Sequence, residues 1–154
     1  MTRETSLWQT VKRELGRFGA LERIENRLAP GTPDVVFSLR RPHSSGINFY
    51  HCGTGWLELK SLPAWPKRLD TPLRIRGMTR GQVLFMQRWT NAGGLAFLLL
   101  QAERDYLLLD LPATIRLFSG RMRRSYMYGV ALTGSCNGEH FPTAKILKCL
   151  TPWS

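Results

Sequence analysis

The chain has 154 residues, 43% of them hydrophobic, a length that buries one core well and two poorly, so one domain is expected. With 22 Lys and Arg against 11 Asp and Glu, it carries a formal charge of +11 and a pI near 10.4. Such a surface attracts polyanions, nucleic acid first among them, with a membrane surface or an acidic partner as the alternative. No apolar run reaches the ~18 residues that span a bilayer, and Met1-Thr2-Arg3-Glu4 does not open a signal peptide, so an intracellular protein with no membrane association is expected. Cys52, Cys136 and Cys149 are odd in number and follow no spacing pattern, which argues for reduced thiols.

Along the chain, Leu7, Trp8, Val11, Leu15 and Phe18 make one apolar stripe and predict a helix over Thr2 to Phe18. Glu4 lies one turn before Trp8 near the middle of that stripe, and Glu14 on its edge. Glu4 reads either as a first-turn carboxylate complementing the helix dipole or as an acid aimed at a site beneath the helix. Ala20 to Asn26 reads as a short strand, on which Glu22 and Glu25 face opposite ways. Asn26 to Thr32 follows as a loop. Asp34 to Leu39 is β-branched and apolar, a second strand with an acid at its start.

Arg40 to Gly55 reads as a polar, Gly-rich connection, with a strand extension at Ile47 to Tyr50. In Trp56 to Lys60, alternation puts Trp56, Glu58 and Lys60 on one face and Leu57 and Leu59 on the other. Ser61 to Met78 holds three prolines and four basic residues and predicts an exposed loop. Within it and just after it, Lys67, Arg68, Arg74, Arg76 and Arg80 could meet phosphate, and Trp65 could stack on a base.

Thr79 to Ala92 predicts a second helix: Thr79 as N-cap, Gln82 completing a capping box, and Gly93-Gly94 ending it. Leu95 to Gln101 and Asp105 to Leu111 are apolar runs of the kind found in strands covered on both faces. Pro112 suits the first turn of a helix over Ala113 to Phe118. The basic and Gly-rich stretch to the C-terminus has little periodicity.

The expected order is therefore helix, three strands, helix, two strands, with Asp34 at the second strand and Glu58 and Lys60 on the third. Pro33-Asp34 followed by Glu58-Leu59-Lys60 resembles the signature of the PD-(D/E)XK nuclease superfamily, and the element order is similar to its αβββαβ core. Thr79-Arg80-Gly81-Gln82 with the following helix and strand is similar to the VRR-NUC branch and the archaeal Holliday-junction resolvases. The resemblance covers roughly Thr2 to Asp110.

It implies an α/β fold with one restriction-endonuclease-like domain, built on a mixed sheet of about five strands flanked by helices, residues 111–154 being a basic extension on or beside the core. It implies a Mg²⁺-dependent DNA endonuclease, Mn²⁺ able to substitute, that acts on branched DNA as a homodimer in a bacterial or phage-infected cytoplasm. Asp34 and Glu58, with the Leu59 carbonyl, would hold the cation. Lys60 would orient or deprotonate the attacking water, with a pKa lowered by the cation. A further acid would come from Glu4 or Glu25, and Gln82 would support the site from the second helix.

Trp65, Tyr126, Tyr128 and Trp153 are candidate exposed aromatics for a dimer contact. Two other readings compete. One is a non-catalytic nucleic-acid-binding protein on a nuclease-like fold; taken by themselves, Glu58 and Lys60 could equally be an ordinary ion pair on an exposed strand. Alternatively, His51, Cys52, Cys136 and His140 could hold zinc in a small binding module.

Overall fold

Strand pairing organises the chain around the stretch that carries Glu58 and Lys60. The computed structural model describes residues 2–25, 30–45, 49–135 and 140–153. Its elements are α1 (Arg3–Leu15), a 3-10 turn (Gly16–Phe18), β1 (Gly19–Arg23), β2 (Val35–Pro42), β3 (Tyr50–Leu62), α2 (Arg80–Asn91), β4 (Leu95–Ala102), β5 (Asp105–Leu109), α3 (Leu111–Phe118), α4 (Arg124–Val130), β6 (Thr133–Ser135) and α5 (Thr143–Leu150). The strands form one open sheet in the order β1-β2-β3-β4-β5-β6. It is mixed: β3 and β4 run parallel, and every other neighbouring pair is antiparallel.

The helices start where their side chains can satisfy free backbone donors. The Thr2 hydroxyl accepts from Thr5 N at the head of α1, and Leu7, Val11 and Leu15, one face at four-residue intervals, are fully buried. Thr79 and Gln82 form the expected capping box on α2. Asp110 accepts from Ala113 N and caps α3, with Pro112 in the first turn, so β5 ends at Leu109 instead of running to Leu111.

Helices cover both faces of the sheet. On one, α1 and α5 bring Leu7, Val11, Leu15, Ile146, Leu147 and Leu150 onto Phe37, Leu57, Leu59 and Leu99. On the other, α2, α3 and α4 bring Met86, Leu117 and Met127 onto Leu98, Leu100, Leu107 and Leu109. Residues beyond 110 thus supply side chains to both cores and a strand to the sheet.

The structure corrects several expectations. The sheet has six strands, not about five, because Thr133–Ser135, too short and polar to register as a strand in sequence, pairs with β5. Much of Arg40 to Gly55 is strand: β2 runs on to Pro42 and β3 begins at Tyr50. Polar cross-strand contacts support this hairpin, including Ser38 Oγ to Thr54 Oγ1 at 3.0 Å and the Arg40 guanidinium 4.6 Å from the Tyr50 ring centroid. Ile47 and Asn48 of the predicted extension, and Asn26 of the first strand and following loop, lie outside the described residues. Among the described residues, no helix is long and apolar enough to cross a membrane.

Glycine opens the outer half of β3 to the C-terminal segment. Cys52 and Trp153 pair as an antiparallel bridge, and a methyl group on Gly53 would overlap the Leu150 carbonyl oxygen. Gly53→Ala should therefore cost about 1–3 kcal/mol in urea denaturation. Gly129→Ala, in α4 with no neighbouring atom to meet, should be neutral or stabilising by up to about 1 kcal/mol.

Candidate active site

β3 is a central strand covered on both faces, and four successive residues, Leu57, Glu58, Leu59 and Lys60, are all buried. Leu57 and Leu59 enter the α1/α5 core. Glu58 and Lys60 alternate to the other face, in register with Leu98 and Leu100 of β4 beneath α2. Glu58 is 0% and Lys60 4% exposed, which removes the reading of an ion pair on an exposed strand. Charges so placed must be paired, since removing an ion from water costs several kcal/mol even after relaxation.

The pairing is tight but incomplete. Lys60 Nζ lies 2.6 Å from Glu58 Oε1, and Gln82 Nε2 donates to the same oxygen at 2.5 Å. Among the described residues, Glu58 Oε2 is buried with no hydrogen-bond donor. Asp34 sits one residue before β2; extending the pairing of Val35 with Leu57 by one step sets it opposite Glu58. β2 stops there, and the Asp34 side chain takes over its ladder, Oδ2 accepting from Leu59 N at 2.9 Å. The Asp34 and Glu58 carboxyls meet side by side on neighbouring strands, close enough to share a hydrogen bond when Glu58 is protonated.

Two glycines let α2 reach this point. Gly31, at φ +101°, lies against Gly81 in the first turn of α2, and a Cβ on Gly31 would come within 2.8 Å of the Gly81 carbonyl carbon. Gln82 then does both jobs that its position allows. Its Oε1 accepts from Thr79 N at 2.9 Å in the capping box, and its amide nitrogen serves Glu58. Trp56, two residues before Glu58 on the same strand, packs edge-on against Phe85 and Trp89 of α2 and adds apolar cover to that side.

The electrostatics follow from this crowding. Burial, then the Asp34 carboxylate, pushes the Glu58 pKa up from 4.5 to about 7, against the pull of Lys60. Burial works to lower the Lys60 pKa, but Glu58, Asp34 and Glu4 outweigh it and the net shift is upward. The expected lowering has a different cause, the charge of a bound cation. Carboxylates surround the ammonium group here, so Lys60 remains charged and the proton that moves near neutrality is on Glu58.

Of the other expected residues, Glu4 comes to the cluster, its Oε1 4.0 Å from Lys60 Nζ. Glu25 is exposed just past β1 and makes no hydrogen bond or ion pair with Asp34, Glu58 or Lys60. Glu14 instead accepts from Thr143 of α5 at 2.9 Å. Lys67, Arg68, Arg74, Arg76 and Arg80 are all exposed, with Arg68 held by Asp70 at 3.0 Å.

The 61–78 segment is less open than expected. Trp65 is 6% and Leu73 1% exposed, so Trp65 is not an exposed aromatic for base stacking or a dimer contact. Its indole Nε1 donates to Asp105 at 2.9 Å, and Tyr128 donates to the same carboxylate oxygen. Sequence reasoning missed this link, although Asp105 heading an apolar strand was a signal. Tyr126, Tyr128 and Trp153 are exposed. His51 and Cys52, neighbours on β3, point to opposite faces, and Cys136 lies outside the described residues.

No protein-family model matches this chain, and comparison with curated proteins finds no relative. Among the described residues, no three His, Cys, Asp or Glu side chains gather as a metal-holding group. A cation at this site would therefore rest on the Asp34 and Glu58 carboxylates and backbone oxygen. Those hard donors, one an orphaned buried oxygen, suit Mg²⁺ or Mn²⁺, which keep several waters.

The raised Glu58 pKa has a stability consequence. A folded-state pKa above the unfolded value means that the folded protein holds the proton more tightly. That stabilisation is complete below about pH 4.5 and is lost as pH rises through about 7. In EDTA, wild type should lose on the order of 3 kcal/mol relative to Glu58→Gln between those limits. Urea denaturation across pH 4.5 to 8 measures it; a pH-independent difference would contradict the burial of this carboxyl.

Proposed function

We propose that this chain is a metal-dependent endonuclease that hydrolyses phosphodiester bonds in DNA, built on the plan of the PD-(D/E)XK superfamily. The observation that carries the reading is the convergence of Asp34, Glu58 and Lys60 on adjacent strands inside the molecule, with one carboxylate oxygen left unpaired. A buried charge cluster with an unmet acceptor costs stability, and binding a cation and a phosphate would use it.

Asp34, Glu58 and the Leu59 carbonyl are the groups that would hold Mg²⁺ or Mn²⁺. When bound, such an ion lowers the pKa of a water and offsets charge on the phosphate. The chain's own contribution is positioning. Gln82 and Lys60 hold Glu58 Oε1 on one side and leave Oε2 free. Asp34, fixed by the Leu59 amide, presents Oδ1. Lys60 is an ammonium group and acts as donor, orienting the attacking water and compensating a non-bridging phosphate oxygen. Glu4 adds negative charge behind Lys60.

The formal charge of +11 and the exposed Lys67, Arg74, Arg76 and Arg80 support a polyanionic substrate bound along the 61–80 segment. Branched DNA and a homodimer carrying two such sites extend the proposal through the family plan.

Glu58→Gln and Asp34→Asn should each abolish cleavage of plasmid and branched DNA in Mg²⁺ or Mn²⁺ while DNA binding in EDTA persists, and Lys60→Ala should lower the rate roughly 10²–10⁴-fold. Gel-based cleavage with a parallel binding assay tests this. Binding without metal-dependent cleavage by wild type would move the protein to the non-catalytic class.

A further inference from the structure

A cleft of about 530 Å³ opens where β3 and β4 end, lined by Ser61, the residue after Lys60, and bounded by Arg3, Arg104, Arg124 and the Trp65–Asp105 pair. The carboxyl ends of parallel strands are where open α/β sheets commonly bind ligands. From the electrostatics and the held geometry of this cleft, we propose that it is a nucleic-acid phosphate subsite. It would grip the backbone of a strand whose neighbouring phosphodiester lies at the Asp34–Glu58–Lys60 cluster.

Charge is the first support. Two carboxylates also border the cleft, but both are engaged. Glu103 Oε1 accepts from Trp65 N, and Asp105 Oδ2 accepts from the Trp65 indole and the Tyr128 hydroxyl. Among the described residues, none of the three guanidinium groups is in a salt bridge. Arg3 uses one nitrogen on the Pro63 carbonyl at 2.8 Å, and Arg124 lies 5.1 Å from the centroid of the Trp65 ring. Their remaining donors fit phosphate oxygens.

The second support is the turn that carries Arg104. Glu103, between β4 and β5, is the only non-glycine described at positive φ, 55°, a conformation that costs energy and persists where the surroundings over-determine it. They do so here: Glu103 N donates to the Leu62 carbonyl at 3.3 Å while its side chain is held by Trp65 N. The turn is thereby pinned to the segment leaving β3, and it sets the exposed Arg104 on the rim of the cleft. Arg3 ties the same segment to α1, one residue from Glu4, which reaches Lys60.

The proposal rests on the nucleic-acid reading of the site, and the test separates the two. Binding of a fluorescein-labelled single-stranded oligonucleotide in EDTA is followed by anisotropy over a range of salt for wild type, Arg104→Ala, Arg104→Glu and, as a control on α5 outside the cleft, Lys145→Ala. Loss of one phosphate contact should weaken binding several-fold and reduce the slope of log K against log salt by about 0.7 in Arg104→Ala. Arg104→Glu should lose more, and Lys145→Ala should change little.

An effect of Arg104→Ala no larger than that of Lys145→Ala, or no binding by wild type, overturns the subsite. Independently, hydrolysis of bis(p-nitrophenyl) phosphate in Mn²⁺ by wild type and its loss in Glu58→Gln test the nuclease reading. Hydrolysis with an unaffected salt slope removes the subsite alone. A changed slope without hydrolysis removes the nuclease and leaves the phosphate site standing.

Discussion

A carboxylate and an ammonium group buried between two hydrophobic cores set the terms for everything around them. Glu58 and Lys60 occupy the side of β3 where Leu or Val would pack without cost. An exposed ion pair contributes at most about 1 kcal/mol, whereas desolvating each buried ion costs several. The pair therefore does not explain the stability of the fold; the fold tolerates it because leucines and methionines on both faces compensate. What the burial yields is a fixed geometry, because neither side chain can turn toward solvent without abandoning its partner.

That constraint propagates outward through named contacts. Gln82 must come within hydrogen-bond distance of Glu58, so the first turn of α2 must press on the loop before β2. Gly31, at positive φ with its Cα against the Gly81 backbone, allows this approach. Asp34 must end the β2 ladder with its side chain, so Leu59 N, the donor that β2 no longer reaches, takes a carboxylate instead of a carbonyl. The strand edge thus becomes a place where one carboxylate completes the ladder and lies against a second, buried one.

Much of this was legible from the order of residues alone. Apolar stripes with capping residues identify α1 and α2, because a helix needs both a buried face and partners for its first amides. The Trp56 to Lys60 alternation assigned Glu58 and Lys60 to one face, because a strand's side-chain period is two. The outer half of β3 was not legible: Gly53 and Gly55 carry no side chain to mark a strand, and its pairing depends on β2 and on the C-terminal segment. Trp65 misled for a related reason. Prolines and basic residues around it describe a loop, and nothing local announces that Asp105, forty residues on, accepts its indole proton.

The sequence by itself determined the chemistry available: an acid ahead of one strand, an acid and a lysine on the next, a glutamine at a helix start and a strongly positive chain. Those follow from residue type and short-range periodicity, which act over a few residues. The tertiary structure alone decided that Glu4 approaches Lys60 and Glu25 does not approach the cluster, that Glu58 is fully buried, and that Arg3, Arg104 and Arg124 border one cleft. Those outcomes depend on strand register and helix docking, which bring together groups as far apart in the chain as Arg3 and Arg124, 121 residues, and no local pattern encodes such distances.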